Sequence, residues 1–154
     1  MADGCQLAVD VYLPPGASGR VPAILIFIPY YRRFALRAFT PQESAASLGV
    51  TRWRDLFVPR GYALVAVDVR GTGASFGTRD SFRSPRERDD SARIAEWVTA
   101  QPRSDGRIGA TGISYIGAAC DFLAVQTIRR YAQSLPYRRC GTPTSTTTTP
   151  ADCY

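Results

Sequence analysis

Gly112-Ile113-Ser114-Tyr115-Ile116-Gly117 sets a serine between glycines where the chain changes character. Arg107-Ile108-Gly109-Ala110-Thr111 before it reads as a short buried strand, and Tyr115 to Ala124 after it reads as helix. A serine on a sharp strand-to-helix turn is the arrangement that exposes a hydroxyl nucleophile. Such a turn demands backbone angles that most residues avoid, and small neighbours let chain and substrate approach closely. The helix opening there offers free N–H groups where a reacting carbonyl oxygen would gain negative charge. The chemistry is acyl transfer with Ser114 as nucleophile. The second glycine falls one residue later than in G-x-S-x-G, so a glycine-flanked loop serine without a catalytic role also fits the bare pattern.

What such a serine needs is incomplete here. The 154 residues include no histidine, so a full Ser-His-Asp triad or a histidine-rich metal site cannot be built from this chain. Cys5, Cys120, Cys140 and Cys153 have no CxxC spacing, and neither a metal centre nor a disulfide framework is expected. No cofactor is expected either. All 19 basic residues are arginine, as GC-rich coding would give, and the net charge is +6. Half of that excess lies in the last 30 residues, which leaves the body nearly balanced, without a basic stripe of interleaved aromatics. Nucleic acid is therefore not an expected partner. The start, Met1-Ala2-Asp3-Gly4, has no leader-like character, and the longest apolar run, Ala23 to Ile28, is too short to span a bilayer. The expectation is a cytoplasmic protein with no membrane partner.

The elements that must hold Ser114 follow from periodicity. Leu7, Val9, Val11 and Leu13 alternate with polar or small residues, predicting a half-buried strand near 6–12 that Pro14-Pro15-Gly16 stops. Val21 to Ile28 and Tyr62 to Val67 are continuous apolar runs, predicting strands buried on both faces near 21–28 and 63–67, with another near 108–111. Between the first two lies a polar, arginine-rich loop. Helices are predicted near 51–59, where Trp53, Leu56 and Phe57 share a face, near 85–101, with Glu87, Asp89 and Asp90 at its positive end, and near 115–124. Strands alternating with helices predict an α/β fold with a parallel sheet.

Read together, several segments carry a family signature: Asp3-Gly4, Leu7-Ala8-Val9-Asp10-Val11-Tyr12-Leu13-Pro14, Pro29-Tyr30, Gly61-Tyr62-Ala63, Asp68-Val69-Arg70-Gly71-Thr72-Gly73-Ala74-Ser75, Ala100-Gln101-Pro102, Asp105-Gly106-Arg107-Ile108-Gly109 and the serine motif itself. Over residues 3–124 the chain resembles the α/β-hydrolases of the cocaine esterase and Xaa-Pro dipeptidyl-peptidase family. There the elbow is commonly G-x-S-Y-x-G, so Ile116 is no departure. The resemblance implies the N-terminal portion of an α/β-hydrolase sheet with flanking helices, a small-molecule ester or amide substrate, and an acyl-enzyme on Ser114. It also implies an oxyanion hole formed by the Tyr30 hydroxyl and the Tyr115 N–H. Tyr31 is expected only to pack at the sheet edge.

Two departures accompany the resemblance. The family usually has another strand before Asp3, so the start looks clipped. After about Ala124 the likeness stops, ahead of the segments that supply the catalytic Asp and His, the helical cap and the β-rich C-terminal domain. Residues 125–154, with Thr142-Pro143-Thr144-Ser145-Thr146-Thr147-Thr148-Thr149-Pro150, are low in complexity and read as a non-native or disordered tail. A frame shift accounts for it. Back-translated from Ile128 and read from each third base, the codons permit Pro-Ala-Val-Arg-Ala-Ile-Ala-Pro-Leu-Ser-Ala-Val-Trp-Asp, which resembles the family's continuation. The codon spanning Arg139 and Cys140 can then encode only Val, Leu or Met.

Two other functions compete. Gly71-Thr72-Gly73-Ala74-Ser75-Phe76-Gly77 after a buried strand loosely matches the glycine pattern of a dinucleotide-binding module, although the spacing is off by one and no apolar-striped helix follows. A simple tight turn explains the same glycines. The other alternative is a non-catalytic remnant of a hydrolase, since family and present competence are separate matters.

Overall fold

The computed structural model describes residues 1–32, 49–82 and 84–134, the stretch 126–134 as backbone only. The arginine-rich connection falls mainly on 33–48, and the Thr-rich stretch, Cys140 and Cys153 fall on 135–154; these lie outside the described residues.

The elements are β1 (Val9–Tyr12), β2 (Val21–Ile28), α1 (Gly49–Phe57) continued by a 3-10 turn (Val58–Arg60), β3 (Ala63–Asp68), α2 (Pro85–Thr99), β4 (Ser104–Ala110) and α3 (Tyr115–Ser134). The sheet order is β1-β3-β2-β4. β2 pairs in parallel with β3, Ala23 opposite Ala63 through Ile28 opposite Asp68, and with β4, Leu25 opposite Ala110.

β3, β2 and β4 are mutually parallel, as expected, and β1 makes the sheet mixed. β1 runs antiparallel to β3, with Val9 opposite Val67 and Tyr12 opposite Leu64. The link from β1 to β2, residues 13–20, holds no helix. β1 and β2 flank β3, and so short a link can return the chain in the opposite direction but cannot make the crossover of a dozen or more residues that a parallel strand of the same sheet needs.

Successive side chains on a strand point to opposite faces, and both faces of the central strands are covered. Ala23, Leu25, Phe27, Ala63, Val65 and Val67 pack against Ile94 and Val98 of α2 and Tyr115, Ala119 and Leu123 of α3. Ile24, Ile26, Ile28, Leu64 and Ala66 pack against Val50, Trp53 and Phe57 of α1. The uninterrupted apolar runs of β2 and β3 are what this double coverage requires.

α2 opens at Pro85, as its sequence predicts, and the structure adds a cap: Ser84 accepts the Glu87 N–H at 3.2 Å. α3 runs ten residues past the predicted end near 124. Residues 125–134 contain neither glycine nor proline, and all of them lie within the described helix. No described helix is long and apolar enough to cross a membrane.

Candidate active site

Ser114 lies four residues beyond the end of β4 and immediately before α3. Its φ is 59°, in the left-handed region, and among the described non-glycine residues only Tyr31, at 70°, shares a positive φ. Steric clash with Cβ makes that region costly, so surrounding structure must impose it. The flanking glycines show how. A Cβ on Gly112 would lie 2.3 Å from Ile116 Cγ2 and 2.7 Å from Gly117 N, and one on Gly117 would lie 3.0 Å from Gly112 O. Strand end and helix start thus touch backbone to backbone, and Ser114 is turned outward, exposed to solvent.

The first hydrogen bond of α3 at this end runs from Ala118 N–H to Ser114 C=O at 3.0 Å. The N–H groups of Tyr115, Ile116 and Gly117 precede it and have no acceptor within the helix, which leaves partial positive charge beside the serine.

Tyr115 divides between two environments. Its N–H belongs to the turn, while its side chain is 6% exposed and lies in the core between α2 and α3. The phenol donates to Glu87 Oε2 at 2.7 Å, the Arg79 guanidinium sits 4.8 Å from the ring centre, and the Phe82 ring meets it edge-on at 4.8 Å. Burial, followed by the bond to the Glu87 carboxylate, pushes the phenol's pKa well above its usual value.

Tyr30 lies two residues past the end of β2 and is 61% exposed. Because β2 and β4 are parallel neighbours, Tyr30 and Ser114 emerge from adjacent strands at the same edge of the sheet. Tyr31 is exposed as well, rather than packed.

The segment following Tyr31 is anchored by a residue to which sequence reasoning assigned no role. Asp68, 1% exposed at the end of β3, accepts the Arg32 N–H at 2.7 Å, Arg32 Nη1 at 2.5 Å and the Ala74 N–H at 3.0 Å. The sequence signal was a lone carboxylate closing an otherwise apolar strand. The glycine turn beyond it has a structural cause: a Cβ on Gly73, whose φ is 57°, would fall 2.2 Å from Asp68 Oδ2. The next helix starts only at Pro85, so these glycines do not open a helix as a dinucleotide site requires. Arg70, buried in the same turn, reaches Asp90 through Nε at 2.8 Å and Nη2 at 2.7 Å, and Asp3 through Nη1 at 2.6 Å. Among the described residues, no base is hydrogen-bonded to the Ser114 hydroxyl.

Residues 3–136 match the family model described as X-Pro dipeptidyl-peptidase (S15 family). The chain belongs to this family. A Mycobacterium bovis protein named for a proposed serine esterase activity is 42% identical over 132 residues, covering 81% of this chain and 21% of its own length. The cocaine esterase of a Rhodococcus strain is 37% identical over 117 residues, covering 76% and 18%. Among solved structures, a CocE/NonD family hydrolase from Staphylococcus aureus superposes with a TM-score of 0.65 at 25% identity, covering 82% of this chain and 24% of that one. This S15 chain therefore spans about a fifth of the length of the curated relatives it matches. Its mixed sheet with helices on both faces is the N-terminal portion of an α/β-hydrolase, and its family is one of serine hydrolases that includes esterases.

Proposed function

We propose that this chain carries the nucleophile and the oxyanion donors of a serine hydrolase acting on small-molecule esters or amides. Ser114 Oγ attacks the substrate carbonyl carbon while its proton passes to a histidine base. The tetrahedral oxyanion is held by the Tyr30 hydroxyl and the Tyr115 N–H at the α3 terminus. Collapse breaks the bond to the leaving group, which takes the proton from the histidine, and water then releases the acyl group by the same steps reversed. The observation that carries this reading is the left-handed Ser114 backbone on a turn closed by direct contact between Gly112 and the start of α3.

The base is not in this sequence, which has no histidine and no lysine. A serine hydroxyl without an adjacent base is a weak nucleophile. The chain alone is accordingly inactive, and the histidine and its carboxylate partner come from segments beyond it. We infer that residues 125–154 are a frame-shifted reading of such a continuation, and that the protein acts in the cytoplasm. The nucleotide sequence across codons 124–154 tests the first point.

For the catalytic assignment, hydrolysis of an activated ester is measured for the 154-residue chain and for a frame-restored protein. The expected result is background hydrolysis from the short chain, and turnover from the longer protein that Ser114→Ala abolishes. Ser114-dependent hydrolysis by the short chain would overturn the account of the missing base. Turnover surviving Ser114→Ala in the longer protein would overturn the nucleophile.

A further inference from the structure

The acyl-transfer chemistry uses the backbone of Tyr115 and leaves its phenol without a task. That phenol is nevertheless specified. A tyrosine that only filled space between α2 and α3 would do better as phenylalanine, because burying a hydroxyl is unfavourable unless it is bonded. Here it donates to Glu87 Oε2 at 2.7 Å, and the other oxygen of the same carboxylate accepts Arg79 Nε at 2.8 Å. The Arg79 guanidinium returns over the Tyr115 ring, which closes a triangle of carboxylate, guanidinium and phenol.

Glu87 is itself held in place. It lies in the first turn of α2, where its N–H is capped by Ser84, and it is buried. The residue it grips directly follows Ser114, whose φ of 59° is a conformation the chain does not choose unaided. Gly112 and Gly117 permit the turn sterically, but they supply no attractive contact that selects it. The phenol supplies one, from the side opposite the solvent-exposed serine.

We propose that Glu87, with Arg79, is a positioning residue for the nucleophile turn: it seats the Tyr115 phenol from the buried side and so fixes the Ser114 backbone and the Tyr115 N–H. Its consequence for catalysis rests on the reading of Ser114 as the nucleophile; its effect on the turn does not. A carboxylate partner is preferred over a neutral one because it accepts from both donors at once, and charge-assisted bonds are the stronger kind.

Amide hydrogen exchange on the 154-residue chain tests this without requiring turnover. The reporter is the Ala118 N–H, which closes the turn onto Ser114 C=O, and the Val65 amide in the central strand β3 reports global opening. Glu87→Ala and the volume-conserving Tyr115→Phe should each speed exchange at Ala118 at least tenfold while leaving Val65 within threefold. Glu87→Gln, which still offers one oxygen to the phenol but no second acceptor to Arg79, should leave Ala118 exchange slower than in Glu87→Ala but faster than in the parent. Unchanged Ala118 exchange in Tyr115→Phe, or equal acceleration at Ala118 and Val65, would overturn the proposal. Such a failure would leave the acyl-enzyme reading standing, and loss of that reading through the Ser114→Ala experiment would leave the effect on the turn intact.

Discussion

Arg32 binds Asp68 twice, through its backbone N–H at 2.7 Å and its guanidinium Nη1 at 2.5 Å, and so ties the chain just past Tyr30 and Tyr31 to the end of the neighbouring strand. Removing the buried carboxylate would leave the guanidinium and the Ala74 N–H without that acceptor. Arg32 keeps Asp10 as a partner, 3.2 Å from its Nε, so Asp68→Ala is expected to destabilise the fold by about 1–3 kcal/mol, the range for leaving a buried polar group without its acceptor. Denaturant unfolding of both proteins measures this, and a loss under about 1 kcal/mol would show that the pair is solvated rather than structural.

Glycines with positive φ differ in what surrounds them. Gly16, at 72°, has nothing within 4 Å of the place a Cβ would occupy, so Gly16→Ala should lose only about 1 kcal/mol from the left-handed backbone. Gly112 carries no such φ, yet its Cβ would overlap Ile116 and Gly117. Gly112→Ala should therefore cost about 1–3 kcal/mol through overpacking, and should displace the serine turn as well. Unfolding midpoints rank the two, and the opposite order would refute the steric account.

Asp3 provides a pH signature. Hydrogen bonding to Arg70, more than any other influence, lowers its carboxyl pKa from 3.8 to about 2. A carboxylate depressed in the folded state contributes stability that is present above its ordinary value and lost as pH falls through the depressed one. The thermal midpoint should consequently fall more steeply between pH 4 and 2 in the parent than in Asp3→Asn. Parallel curves would show that the pair contributes nothing to folding.

Tyr30→Phe tests the proposed oxyanion donor. In a longer, histidine-bearing protein it should lower turnover by about 10²–10³ with little change in KM, because the donor acts on charge that develops only in the transition state. Turnover within twofold of the parent would remove Tyr30 from the site.

The core strands and the serine turn are legible in the sequence because their signals are local. Eight consecutive apolar residues in β2 need no tertiary information, and Gly112 and Gly117 bracket a motif six residues long. The direction of β1 is not legible, since a period of two is the same for parallel and antiparallel strands. The described extent of α3 is hidden because the change of composition after Ala124 reads as a structural boundary, while helix formation responds to local propensity and the absence of breakers. Glu87 reads as a helix-terminal acid and Asp68 as the end of a strand. Their partners Tyr115 and Arg32 lie 28 and 36 residues away, and no pattern in the sequence spans such distances.

Among the described residues, β4 is hydrogen-bonded to β2 alone, so its outer side presents a row of amide donors and carbonyl acceptors. That row is complementary to itself, and a second copy could extend the sheet by the same pairing that β2 uses. Folding is first order in protein whereas such strand addition is second order, so the two compete through concentration rather than through sequence. Dilution before refolding would favour the folded monomer, and light scattering that rises with the square of protein concentration would mark the competing route.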